Sequence, residues 1–244
     1  MVDNNSSVSV IIPVYNCDHY LSEAIKSVLE QTYEPVEIIV VDDGSTDKTA
    51  QIITGFDDDI NYIYQNNSGP ATARNTGLKI AKGEIITFLD ADDIWSPNKL
   101  QLQQEYLLEN PSAEVVIGHT QFIQLTVLDS QDKFTEIAEP RIFLNLGSAV
   151  FRKSVFEKVG LFDENLHYSE DVDWFNRARE CNISILQHQE VVLFYRQHEN
   201  NMTKNKIAND LNILKVLRKS LDRRRKNDGL VTQLPKFSVV DIES

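Results

Sequence analysis

The chain has 244 residues, 41% hydrophobic and 25% charged, which suffices for one large core and is ordinary for a soluble globular protein. No run approaches the about 18 apolar residues of a membrane span, Met1–Ser7 has no signal-peptide apolar core, and two lone cysteines, Cys17 and Cys181, exclude a disulfide framework and point to a reducing, cytoplasmic setting. The net charge of −13 is uneven: residues 204–244 hold ten Lys/Arg against five Asp/Glu, while 1–203 hold 14 against 32, an acidic body that argues against general nucleic-acid binding.

Strand and helix signals alternate from the start. Val8–Pro13 is a short apolar run closed by proline. Asp18–Gln31 then sets Leu21, Ala24, Ile25, Val28 and Leu29 at helical spacing, with Asp18 the expected N-cap. A second strand, Val36–Val41, ends in Asp42-Asp43-Gly44-Ser45, and a short helix is expected from near Thr46 to Ile53. Ile60–Tyr64 reads as a strand, Ala71–Ala81 as a helix and Ile85–Leu89 as a buried strand that runs into Asp90-Ala91-Asp92-Asp93. This β-α-β-α-β-α-β order predicts an α/β fold with a mostly parallel, Rossmann-like sheet flanked by helices.

Further along, Ser96-Pro97 is expected to open a helix to about Glu109, followed by a strand at Glu114–Gly118. Thr120–Leu146 has poor periodicity and reads as hairpin or loop over the site. Gly147–Phe151 returns to a strand, Lys153–Val159 is a short helix, Ser169–Glu180 a longer one, and Ile183–Tyr195 is extended. Residues 1–204 are thus expected to form one catalytic-type domain and 205–244 a basic tail. In the tail, Asn205–Lys219 reads as an amphipathic helix before Arg223-Arg224-Arg225-Lys226, and the chain from Gly229 reads as a poorly ordered end. Such a helix either packs on the body or rests on an anionic membrane surface.

Polar clusters close three successive strands: Pro13-Val14-Tyr15-Asn16, Asp42–Ser45 and Asp90–Asp93. In a parallel sheet these ends converge on one crevice, where open α/β folds bind ligands. Carboxylates one residue apart suit Mg²⁺ or Mn²⁺ carrying a phosphate-bearing substrate, whereas an Asp-rich turn is the plainer reading of that segment alone. Within the crevice Asp92 is the expected metal ligand, Asp90 contacts ribose or a metal-bound water, and Asp93 caps the next turn. Tyr15 can stack on a base or serve the core. Asp43 can accept a uracil-type imino N–H or cap a helix, and Arg74 can pair with phosphate, with Asp90, or with nothing. Glu170 and Asp171 open a helix after Ser169, which is either simple helix initiation or a general base facing the crevice. His198, in the loop after the last extended segment, can reach diphosphate or metal, with Arg196 adding positive charge.

The series Val8–Asn16, Val41–Asp47, Gly69–Gly77, Asp90–Asp93, Glu170-Asp171 and Tyr195-Arg196-x-His198, in this order and rough spacing over residues 8–203, resembles the family 2 glycosyltransferases. The resemblance implies a GT-A fold, a nucleotide-sugar donor (a UDP-sugar in the first instance), a divalent metal, Mn²⁺ or Mg²⁺, and inversion at the anomeric carbon. By position it puts Pro13, Tyr15, Asp43, Arg74 and Asp90 at the nucleotide, Asp92 on the metal with His198 as a further candidate ligand, and Asp171 as the base. The processive members' Gln-x-x-Arg-Trp motif is absent, so transfer of a single sugar to a glycan or lipid-linked acceptor is expected. A nucleotidyltransferase is disfavoured, because Val8–Asn16 has no glycine for a phosphate loop. A non-catalytic nucleotide-sugar-binding domain is disfavoured by the intact acids at Asp92 and Asp171.

Overall fold

The computed structural model describes residues 6–226 except 35, 57–58, 129–130, 203, 205 and 208–209, together with 238–239. In chain order its elements are β1 (Val8–Val14), α1 (Leu21–Leu29), β2 (Val36–Asp42), α2 (Thr49–Thr54), β3 (Asn61–Tyr64), α3 (Pro70–Ile80), β4 (Ile85–Phe88), β5 (Ile94–Trp95), α4 (Lys99–Glu109), β6 (Val115–Leu128), β7 (Gln131–Glu136), a 3₁₀ turn (Leu146–Ser148), β8 (Ala149–Arg152), α5 (Ser154–Val159), α6 (Glu170–Glu180), β9 (Ile185–Gln197), α7 (Ile213–Lys226) and β10 (Ser238–Val239). One sheet runs in the order β10-β9-β6-β8-β4-β1-β2-β3, with β5 on β9 and β7 on β6.

The expected parallel unit is β4-β1-β2-β3. Beyond it, β8 pairs antiparallel with both β4 and β6, and β6 then pairs parallel with β9. Alternation along β1 divides the core. Val8, Val10, Ile12 and Val14 face a layer with Leu21, Ile25 and Val28 of α1 and Leu100 and Leu107 of α4. Ile11 faces the other layer, with Ala73 and Leu78 of α3 and the aromatic group Phe88, Phe151, Phe156, Phe162, Trp174 and Phe175. Register brings Val14 level with Asp42, and Asp42 level with Tyr64, so the strand ends open on one edge.

Pro13 marks where that edge begins to part. The last bond between β4 and β1 runs from the Leu89 N–H to the Ile11 carbonyl. Pro13, two residues on, faces the same side without an N–H to continue the ladder. β1 parts there from β4 while it stays paired with β2 to Val14, and the crevice lies between the diverging loops.

Several boundaries differ from expectation. Helix α1 starts at Leu21 after Tyr20, and Asp18 does not cap it; the Asp18 N–H instead donates to Asp47 Oδ2 at 3.1 Å. Helix α4 starts at Lys99 rather than at Ser96-Pro97, because Ile94-Trp95 first pair with β9 as a strand too short to leave a periodic signal. Strand β6 continues past Gly118 and forms a hairpin with β7, in the segment read as hairpin or loop. The stretch from Gly229, expected to be poorly ordered, lies outside the described residues except for Ser238–Val239, which pair with β9.

The tail helix α7 begins at Ile213, later than expected, and packs on α6 through Val216 and a set of ion pairs. Lys219 pairs with Asp163, and Arg223 bonds Glu180 at 2.6 Å and Asp173 at 3.1 Å. Asp173 is buried and Glu180 partly so, with side-chain exposures of 2% and 9%. Arg223→Ala is therefore expected to cost about 1–3 kcal/mol, the scale of losing bonds to charged groups. A urea midpoint equal to that of the unsubstituted chain would contradict this account of the docking.

Candidate active site

The β1 and β2 ends are laced together by their loops. The Asn16 N–H donates to Ser45 Oγ at 2.9 Å, and Asn16 Oδ1 accepts from the Thr46 N–H at 2.8 Å. Asp42 is buried and accepts from the Ser45 N–H and the Tyr62 hydroxyl. Gly44 is required at its place: it has φ +83°, and a Cβ there would stand 2.7 Å from the Asn67 nitrogen. Asp43, also buried, holds the next loop, accepting from Gln65 Nε2 at 2.7 Å, the Ser68 N–H at 2.9 Å and the Gly69 N–H at 2.8 Å. Two of those bonds fall on Oδ1 and one on Oδ2. Tyr15 projects from the end of β1, 52% exposed, and is not a core aromatic.

Arg74 lies on α3, buried, with its guanidinium between two acids from distant parts of the chain. Nη2 bonds Asp90 Oδ1 at 2.7 Å, and Nη1 bonds Glu170 Oε1. Burial works against the charge, but Asp90 and then Glu170 outweigh it and hold Arg74 protonated. The bond to Asp90 was foreseen among the alternatives for Arg74; the bond to Glu170 was not.

Asp171 follows Glu170 in the first turn of α6. The turn is entered through Ser169 in the left-handed region, φ +59°, a conformation that non-glycine residues adopt at some cost. Ser169 makes no cap bond; its hydroxyl goes to the Leu211 carbonyl at 2.6 Å, so the residue aims the helix rather than closing its end. Asp171 Oδ1 accepts from the Val172 N–H at 2.7 Å. Burial first, then the adjacent Glu170 charge, push the Asp171 carboxyl up to about 7, against the pull of Arg74. That is the range suited to a base working near neutrality.

The other acids of the Asp90–Asp93 cluster have other partners. Asp92 Oδ2 accepts from His198 Nε2 at 3.1 Å and Asn201 Nδ2 at 3.2 Å, and among the described residues no bond falls on Oδ1. The His198 ring packs on Tyr20, centroids 4.6 Å apart. Asp93 does not cap the following turn. It is fully buried and takes the Arg196 N–H at 3.0 Å, with its carboxyl held well above the usual range by burial and by Asp92 and Asp90. Arg196 is also buried: its guanidinium lies 5.2 Å from the Tyr20 ring and 5.1 Å from the Phe134 ring, with Glu23 2.9 Å away. Its charge is thus turned to Glu23 and to two aromatic rings.

The sequence-predicted residues therefore fall into three groups: Pro13, Tyr15 and Asp43 at the β1–β2 edge, Arg74, Asp90 and Asp171 around one buried cation, and Asp92 with His198. Glu170, Tyr20 and Asn201 join them without having been assigned these contacts. Asn201 lay in the polar loop already singled out, but its long-range partner Asp92 leaves no local signal. Among the described residues no cluster of three or more acids, histidines or cysteines forms a closed metal cage. A single carboxylate beside an imidazole fits Mg²⁺ or Mn²⁺ held partly by substrate phosphates and water, the usual way such ions bind at phosphate sites.

The open sheet with its crevice at the parallel strand ends defines a GT-A glycosyltransferase fold, shared with solved structures of such enzymes. S. aureus TarS 1–349 in complex with UDP-GlcNAc superposes with a TM-score of 0.70 at 22% identity, over 88% of this chain and 65% of that one. The mannosyltransferase PcManGT of Pyrobaculum calidifontis, in complex with GDP-Man and Mn²⁺, gives 0.65 at 18% identity, over 96% and 67%. Residues 9–161 match the profile of Glycosyl transferase family 2, and an uncharacterised glycosyltransferase of Rickettsia typhi is 39% identical over 206 residues, 79% of this chain. The chain belongs to glycosyl transferase family 2. It spans 64% of the length of the Rickettsia relative; GlyG of Streptococcus pneumoniae is 42% identical over 116 residues, 46% of this chain and 38% of GlyG.

The Asp171 environment makes a direct prediction. In a carbon-detected NMR titration its carboxyl is expected to titrate near pH 7. Glu170→Gln removes a neighbouring negative charge and should move that midpoint down. A midpoint in the ordinary carboxylate range in the unsubstituted chain would contradict the reading of the site.

Proposed function

We propose that this protein transfers one sugar, with inversion, from a nucleotide diphosphate sugar to an acceptor hydroxyl. The observation that carries the reading is the segregation of acids at the strand ends: Asp171, in the first turn of α6 beside the Arg74–Glu170 bridge, stands apart from Asp92 on the loop after β4, which meets His198 from the loop after β9. Residues 1–204 form the catalytic domain in this reading and 205–244 a basic tail. UDP-sugars are the donor class to test first, since TarS was solved with UDP-GlcNAc and with UDP.

In this mechanism Tyr15 stacks on the base, and Pro13 shapes the floor beneath it. Asp43, gripped by Gln65, Ser68 and Gly69, presents the remaining capacity of Oδ2 to an imino N–H. Asp90, oriented by Arg74, faces the ribose side. Asp171 takes the proton of the acceptor hydroxyl as that oxygen attacks the anomeric carbon. The bond to the diphosphate breaks on the opposite face, and the leaving group keeps the electron pair. A bound Mn²⁺ or Mg²⁺, held through Asp92, would supply charge neutralisation at the diphosphate. His198 and the Arg74 field add to that stabilisation.

Asp171→Asn is expected to lower transfer by about 10²–10⁴ fold, the scale of a lost general base, while UDP affinity stays within about twofold. Asp92→Ala should abolish the Mn²⁺-dependent part of UDP binding in a calorimetric titration. Full turnover in the first variant, or an unchanged titration in the second, would overturn the corresponding role.

A lipid-linked acceptor at a cytoplasmic membrane face is favoured by one feature of the tail. No helix among the described residues is long and apolar enough to cross a membrane. Helix α7, however, turns Leu214, Leu217 and Leu221 outward, beside Arg218 and Arg225, a composition that suits an anionic surface. Vesicles containing phosphatidylserine should float the chain, and replacing the three leucines by serine should abolish flotation; equal recovery would sink the membrane role.

A further inference from the structure

The segment that carries Asp171 is held from outside by the tail. Its first helical turn is closed by the Asp173 N–H, which donates to the Ser169 carbonyl at 3.0 Å, so the backbone of Ser169 sets where that turn begins. The Ser169 hydroxyl in turn donates to the Leu211 carbonyl, two residues ahead of α7. Further along the tail the same stretch is gripped at steps of four residues. Lys215 Nζ donates to the Asn165 carbonyl at 3.0 Å, Lys219 pairs with Asp163, and Arg223 reaches Asp173 and Glu180. Side chains four apart share one face of a helix, so these three cations form a single stripe. The stripe lies along the loop and helix from Asp163 to Glu180, while the leucines of α7 named above point to solvent.

Two observations give this hold a catalytic meaning. Ser169 has φ +59° and makes no cap bond, so a glycine would take the same backbone at less cost. What distinguishes serine here is its hydroxyl, whose bond spans 42 residues of chain. In addition, the two residues that precede Asp171 are each tied to a distant element: Glu170 to Arg74 of α3, and Ser169 to the tail. We propose that Ser169 is a positioning residue for Asp171, and that the tail completes the catalytic domain by holding that turn through the Leu211 carbonyl and the cationic stripe of α7. The role of Asp171 as base rests on the function proposed above; the hold of the tail on its turn does not.

Full-chain variants, each checked for a cooperative melt, test the proposal by amide hydrogen exchange and by carbon-detected NMR titration of the Asp171 carboxyl. Ser169→Gly admits the left-handed backbone but has no hydroxyl. It should speed exchange of the Asp173 amide about 10-fold or more as the turn opens. It should also lower the Asp171 midpoint by about one pH unit as water reaches the carboxyl. Were Ser169 needed only for its backbone shape, glycine would change neither, and either value unchanged overturns the proposal. Lys219→Glu sets a second carboxylate against Asp163 and should reproduce both effects with Ser169 intact, whereas Lys219→Arg keeps the ion pair and should restore both. Values in Lys219→Glu equal to those of the unsubstituted chain would remove the tail from the role. With UDP-GlcNAc and Mn²⁺ as the probe, Ser169→Gly should slow UDP release at saturation about 10-fold or more, with KM within about twofold; undiminished release would overturn the positioning role. If the unsubstituted chain titrates Asp171 in the ordinary carboxylate range, Asp171 is not the base, and exchange then judges the hold of the tail by itself.

Discussion

The site depends on one buried cation. Arg74 joins the carboxyl end of β4, through Asp90, to the first turn of α6, through Glu170. A guanidinium without partners in that position would cost several kcal/mol, and the two acids share the task of holding it. The bridge has a chemical consequence as well as a structural one. Its two bonds go to Asp90 and Glu170, leaving Asp171 as the nearby acid that it pulls on only at a distance, while burial and the Glu170 charge act the other way. The same contact that positions α6 thereby leaves one carboxyl of the cluster with the affinity for a proton that a base requires.

Around that bridge the loops divide the work. Pro13 ends the ladder between β1 and β4 and lets the crevice open. Asp42 holds the loop after β2 and the Tyr62 hydroxyl of β3, and Asp43 holds the loop after β3, which together fix the rim of the crevice. On the other side, the buried pair of Asp93 with the Arg196 N–H ties the β4 loop to the end of β9 and sets His198 beside Asp92. Adjacent acids in one short segment thus have separate duties: Asp90 toward Arg74, Asp92 toward His198 and Asn201, and Asp93 toward the backbone of a neighbouring strand.

Much of the fold was legible in the sequence because its strands are short, apolar and bounded by turn residues, and because its first helices carry clear apolar spacing. What was not legible depends on partners distant in the chain. Ile94-Trp95 is a strand only because β9 lies beside it. Asp18 looked like a cap, but the loop it lies in is tied to Asp47 and the helix begins three residues later, after Tyr20. Ser169 looked like ordinary helix initiation, yet its hydroxyl bonds Leu211 and its backbone is left-handed. At the site, the order and spacing of the acidic motifs identified the crevice, but Glu170 as the second partner of Arg74 and Asn201 as a partner of Asp92 lie 96 and 109 residues from the side chains they bond. Local patterns do not carry that information.

The central claim is that the crevice binds a nucleotide diphosphate sugar with the help of a divalent ion. It is tested most directly by thermal unfolding of the full chain against UDP-, GDP- and dTDP-sugars, each with and without Mn²⁺. A ligand at about 100 times its Kd stabilises by about 2.7 kcal/mol, or about 5–10 °C for a chain of this size. The account predicts such a rise for at least one nucleotide sugar, lost when Mn²⁺ is chelated and lost in Asp92→Ala. A melting temperature that none of these ligands moves would contradict it.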